Sequence, residues 1–114
     1  MRSSKAHLSE NEKEALAVFA GRVRQRSGRN LFRICLFGSK VRGTAHPGSD
    51  IDVLAVVRSL SSGVKDGVFD AAFDVNLEYN VFISPRVVPS RIFSSRVWRI
   101  TPFVLNVKKE GIPL

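Results

Sequence analysis

The chain has 114 residues, 44% of them hydrophobic and 25% charged, and its 18 Lys and Arg against 10 Asp and Glu give a formal net charge of +8. The length suits one domain over residues 1–114, and the composition is ordinary for a soluble globular protein. Apolar runs such as Ile51 to Val57 fall far short of the ~20 residues of a membrane-spanning helix. The polar start, Met1 to Glu10, holds no apolar signal core, so the expected setting is the cytoplasm, without membrane contact. A chain this short buries a modest fraction of its surface, which leaves apolar area for a partner, a second copy included. The positive charge favours polyanionic partners: nucleotides, nucleic acid or an acidic protein. The arginines are scattered, from Arg22–Arg29 to Arg86–Arg99, rather than gathered into a tail.

Ser9-Glu10-Asn11-Glu12 has the spacing of a capping box and opens a helix. Leu16, Phe19, Ala20 and Val23 continue it at helical spacing to about Arg26, and Gly28 stops it. Leu31 to Phe37 is a short apolar run between turn residues, hence a strand, and Cys35 within it reads as a small buried hydrophobe. Gly38 to Asp50 holds three glycines and one proline, so a loop with at most one helical turn is expected. Ile51 to Val57, rich in β-branched residues, predicts a central strand. After the polar loop Ser59 to Gly63, the spacing of Val64, Val68, Ala71, Ala72, Val75 and Tyr79 predicts a helix with Asn80 as its left-handed cap. Val81 to Val88 predicts a third strand, with Pro85 pointing to an edge or a bulge. Ser90 is expected to cap a short helical turn, Thr101-Pro102 to begin another helix and Gly111 to end it. The sum is an α/β (α+β) unit, a small mixed sheet flanked by helices.

Chemistry concentrates between residues 36 and 54. A strand that ends in Gly38-Ser39 and turns into a helical turn presents unpaired backbone amides at one point, an anion site. Gly38 permits close approach, and Ser39 adds a hydroxyl. Asp50 and Asp52, one residue apart at the head of an apolar strand, share a face by strand alternation. Two carboxylates so close repel each other, a cost that a bound cation relieves, and hard oxygen ligands suit Mg²⁺ or Mn²⁺.

Gly38-Ser39, ten intervening residues and Asp50-Ile51-Asp52 resemble the GS-x10-D-h-D signature (h, apolar) of the DNA polymerase β-like nucleotidyltransferase superfamily. GSKVRG followed by HPGSDIDVL is most similar to its minimal nucleotidyltransferase proteins, many of which pair with a HEPN-domain protein as toxin–antitoxin modules. The resemblance is close over Leu36 to Val57 and looser over Pro102 to Ile112. It implies a nucleotidyltransferase-type fold that moves a nucleoside monophosphate, AMP above all, from a nucleoside triphosphate to a hydroxyl of a protein or small molecule. By resemblance, Gly38 and Ser39 hold the terminal phosphates, Asp50 and Asp52 ligate Mg²⁺ or Mn²⁺, and Arg42 meets phosphate charge or pins the loop.

One departure matters. The family places a third carboxylate on the strand after the intervening helix, and Val81 to Val88 contains no acid. Glu78 is the best candidate for that ligand, while Asp70 and Asp74 read as solvated-face residues. The alternative is therefore a catalytically impaired module that neutralises its partner by binding alone. A third option is a nucleic-acid-binding domain driven by charge, with Arg91, Arg96 and Arg99 near Trp98. Core packing is expected of Phe93, Trp98 and Phe103, a solvated surface place of Lys40, and no zinc site of His7 and His46.

Overall fold

Ser9 opens the first helix with the expected capping box. Its hydroxyl accepts from the Glu12 N–H at 3.1 Å, and the Glu12 carboxylate accepts from the Ser9 N–H at 3.0 Å. Helix α1 (Glu10–Ser27) buries Ala15, Leu16, Phe19, Ala20 and Val23 and ends at Gly28, whose φ of 53° few other residues adopt. The structure is a computed structural model that describes residues 7–43, 49–96, 98–102, 105 and 111–114, with the side chains of Ser39, Arg42 and Arg99 outside that description. Strand β1 (Leu31–Phe37), the single helical turn α2 (Ser39–Arg42) and strand β2 (Ile51–Val57) follow as expected. Helix α3 (Ser62–Tyr79) is capped by Ser61 at its start and by Asn80 in the left-handed conformation at its end.

Strand β3 (Ile83–Pro89) begins two residues later than periodicity suggests. Asn76 of α3 explains the offset: its amide donates to the Ile83 carbonyl at 3.1 Å and accepts from the Ile83 N–H at 2.8 Å. The side chain thus fixes where the strand departs from the helix. Turn α4 (Ser90–Phe93) has Pro89, not Ser90, at its N-cap, with no side-chain capping bond. Pro102 and Leu105 are helical, and the Leu105 N–H bonds the Thr101 carbonyl at 3.0 Å, as a helix begun at Thr101-Pro102 requires. The Thr101 hydroxyl donates to the Trp98 carbonyl at 2.7 Å. Gly111 leads directly into β4 (Ile112–Pro113).

The sheet order is β3-β2-β1-β4. β2 runs antiparallel to β1 and parallel to β3, and β4 adds antiparallel to β1. Pro85 therefore sits on an edge strand, where its missing N–H costs no ladder bond. Alternation gives the sheet two unlike faces. Ile34, Leu36, Ile51, Val53 and Ile83 pack under α1 and α3 in the main core. Cys35, Leu54 and Val56 face the other way, beneath Phe93 of α4. Each large aliphatic side chain so buried contributes roughly 1.5–3 kcal/mol. Among the described residues no helix is long and apolar enough to cross a membrane.

Candidate active site

β2 is the buried centre of the sheet: six of its seven residues are buried and Asp52 is the exception. A carboxylate at the head of a core strand carries a desolvation cost, so it marks a site rather than a packing solution. Asp52 points to the face of Leu54 and Val56, away from α1 and α3, and Asp50 is exposed just ahead of the strand.

The antiparallel register sets Phe37, the last residue of β1, opposite Asp52. The turn after Phe37 therefore falls beside Asp52. Gly38 has φ 85°, and a Cβ there would lie 2.3 Å from Oδ2 of Asp52. Only glycine fits, on conformation and on space. The backbone entering α2 thus lies against the Asp52 carboxylate. The Val41 N–H closes the turn on the Gly38 carbonyl at 3.0 Å. Ser39 and Arg42 bound α2, so both expected phosphate contacts are on this turn, although their side chains lie outside the described residues.

An unexpected anchor holds α2. Lys40, expected on the solvated surface, is buried, with 5% of its surface exposed. Its Nζ donates to Oε2 of Glu12 at 2.9 Å. Glu12 thus serves two elements: Oε1 completes the α1 capping box and Oε2 holds the turn. Burial pushes the Glu12 carboxyl up, but the Ser9 N–H and the Lys40 ammonium outweigh it and hold the group below its ordinary 4.5. The His7 N–H adds a 2.7 Å bond to the Lys40 carbonyl. Lysine after Gly-Ser gives no hint of this, because its partner is remote in sequence.

The register also shows what faces the aspartates from β3. Ser84 pairs with Asp52 and Arg86 with Leu54, while the Phe82 carbonyl accepts from the Ile51 N–H at 2.7 Å. The places nearest the pair are thus a phenylalanine, a hydroxyl and, one step along the same face, an exposed guanidinium. Glu78 is not brought to the pair. It sits near the end of α3, on the helical side of the sheet, where Arg22 of α1 holds its carboxylate at 3.0 Å. Among the described residues no group of three His, Cys, Asp or Glu could hold a metal ion. His46 and Phe103 lie outside the described residues; Phe93 is buried as expected, whereas Trp98 is 38% exposed.

A mixed sheet with α1 and α3 on one face and a glycine turn against the strand aspartate Asp52 on the other defines a nucleotidyltransferase-type fold. A family model described as the nucleotidyltransferase domain matches residues 16–101, and the chain belongs to that family. No curated protein matches it. Among solved structures, the chain is similar to that of a toxin–antitoxin with AMP-PNP, at TM-score 0.52 and 21% identity over 83% of this chain and 68% of that one. A mutant of the toxin–antitoxin MntA–HpeT aligns at TM-score 0.51 and 20% identity, over 82% and 68%. Another mutant of that complex aligns at TM-score 0.52 and 23% identity, over 94% and 72%. At such identities the likeness shows a shared fold.

Proposed function

We propose that this chain is a metal-dependent nucleotidyltransferase that moves AMP from ATP to a hydroxyl of a protein or small molecule, as the antitoxin of a pair with a HEPN-type toxin. The observation that carries the reading is the contact of the Gly38 backbone with Asp52, the one β2 residue that is not buried. That structures of this fold include a toxin–antitoxin with AMP-PNP and the toxin–antitoxin MntA–HpeT supports the nucleotide and the partner.

In this reading Gly38, lacking a side chain, lets the terminal phosphates approach the backbone, and Ser39 donates to them. Arg42 and Arg86 supply countercharge. Asp50 and Asp52 fit a divalent cation as hard oxygen donors, and they would hold Mg²⁺ or Mn²⁺ shared with substrate phosphate. That ion would neutralise charge on the phosphates and align them for in-line displacement. The acceptor oxygen bonds to the α-phosphorus, the bond from the α-phosphorus to the bridging oxygen breaks, pyrophosphate departs and the hydroxyl proton passes to solvent. The test is pyrophosphate release from ATP and Mg²⁺ in the presence of the product of a neighbouring toxin-type gene. Release that needs both that protein and the metal supports the proposal, and its absence counts against it.

One observation favours a second reading, nucleotide binding with little turnover. Ser84 stands beside Asp52 where a carboxylate would complete the metal site, and Glu78 is engaged by Arg22. Neutralisation of the partner by an Asp50→Asn/Asp52→Asn variant would favour this reading.

A further inference from the structure

Helix α3 buries Val68, Ala71, Ala72 and Val75 against the sheet and α1. On its opposite side Phe69, Phe73 and Leu77 recur every four residues and form one ridge, exposed by 39%, 63% and 69%. Such a contiguous apolar ridge on a small surface marks an interaction face. Beside it runs a second row at the same spacing, Asp66, Asp70 and Asp74, all exposed. Among the described residues none of these aspartates has an ion-pair partner. The nearby arginines of α1 are used elsewhere: Arg22 holds Glu78, and Arg26 donates to the Gly67 carbonyl. The row runs against the sign of the whole molecule, since α3 carries four acids and one lysine in a chain of net charge +8.

We infer that this face docks a protein partner that lays an apolar helical ridge into α3, flanked by lysines or arginines that meet Asp66, Asp70 and Asp74. Ridges of four-residue spacing interdigitate with like ridges of another helix, the commonest packing of globular proteins. The charge row selects the partner. Antiparallel pairing with a second copy about a two-fold axis would set both aspartate rows on the same side of the seam, like charge against like. The ridge lies on the helical layer and Asp52 on the other face of the sheet, so a docked partner leaves the nucleotide turn uncovered. The inference stands apart from the nucleotide reading, because it needs neither Asp50 nor Asp52.

Two synthetic amphipathic helical peptides test it, each with a leucine ridge, one flanked by lysines and one by glutamates. Binding is read by anisotropy at low and raised salt and mapped by amide shifts. The lysine peptide is expected to bind at least about tenfold more tightly, with salt weakening it and shifts centred on Phe69 to Leu77. Asp70→Lys/Asp74→Lys is expected to reverse the preference, and Phe73→Ser to abolish binding while thermal melting and the dispersion of the amide spectrum confirm an intact fold. Equal binding of the two peptides, or none, overturns the inference. So does self-association that Phe73→Ser removes, which would assign the ridge to a second copy.

Discussion

Replacing either member of the Lys40–Glu12 pair probes how the phosphate turn is held, and the two replacements should cost unequal amounts. The Lys40 side chain is 6% exposed and the Glu12 side chain 20% exposed. In Glu12→Gln the capping box survives, because glutamine can take its place, but a buried ammonium loses its counter-charge. Breaking a buried pair in this way costs about 3–5 kcal/mol, and the retained amide hydrogen bond places Glu12→Gln near the lower figure. Lys40→Met removes the buried charge itself and leaves Glu12 with its Ser9 bond and access to water, at about 1 kcal/mol. Urea unfolding followed by circular dichroism should therefore rank Glu12→Gln as the worse variant by about 2 kcal/mol, a difference of roughly 4–8 °C in Tm per kcal/mol. The double variant should cost less than the sum of the singles by more than about 1 kcal/mol. Additive losses below about 0.5 kcal/mol each, as exposed pairs give, would refute the buried anchor.

The same carboxylate sets an acid dependence. Its folded pKa lies below 4.5, so its contribution is complete above the unfolded value and is lost as pH falls through the folded one. Wild type should lose stability below about pH 4.5 more steeply than Glu12→Gln in melts across that range; parallel profiles would contradict this. Gly38→Ala should cost at least about 1–2 kcal/mol from its positive φ alone. Because its Cβ would strike Oδ2 of Asp52, it should also weaken Mg²⁺-ATP binding at least about tenfold by calorimetry. Unchanged binding would detach the turn from the aspartate. Cys35 is buried under Phe93, and burial pushes its thiol up against the weaker opposing influence of Arg33. A thiol reagent should label it only in denaturant, and rapid labelling of the native chain would contradict the core beneath α4.

Much of this was legible in the sequence wherever the signal was local. The Ser9–Glu12 capping box, the Asn80 cap, the edge position of Pro85 and the strand from Ile51 each follow from residues within one turn or one strand. Of the spacing from Gly38-Ser39 to Asp50 and Asp52, the register of β1 on β2 gives one part: the turn after Phe37 lies beside Asp52. What escaped depends on remote partners. Lys40 is buried because Glu12, on another helix, neutralises it. The start of β3 is fixed by an Asn76 side chain that no period reveals. β4 is a two-residue strand that contains proline and exists only because Cys35 and Leu36 offer it an edge. The surroundings of Glu78 likewise follow from the packing of α1 on α3 and not from its nearness in sequence to β3.

The most direct test is calorimetric titration of ATP with Mg²⁺ into the wild type and into Asp50→Asn/Asp52→Asn. The account predicts saturable, metal-dependent binding to the wild type that is lost in the variant, with the fold intact by melting temperature. Binding that persists without the carboxylates, or no binding to the wild type at all, would contradict it.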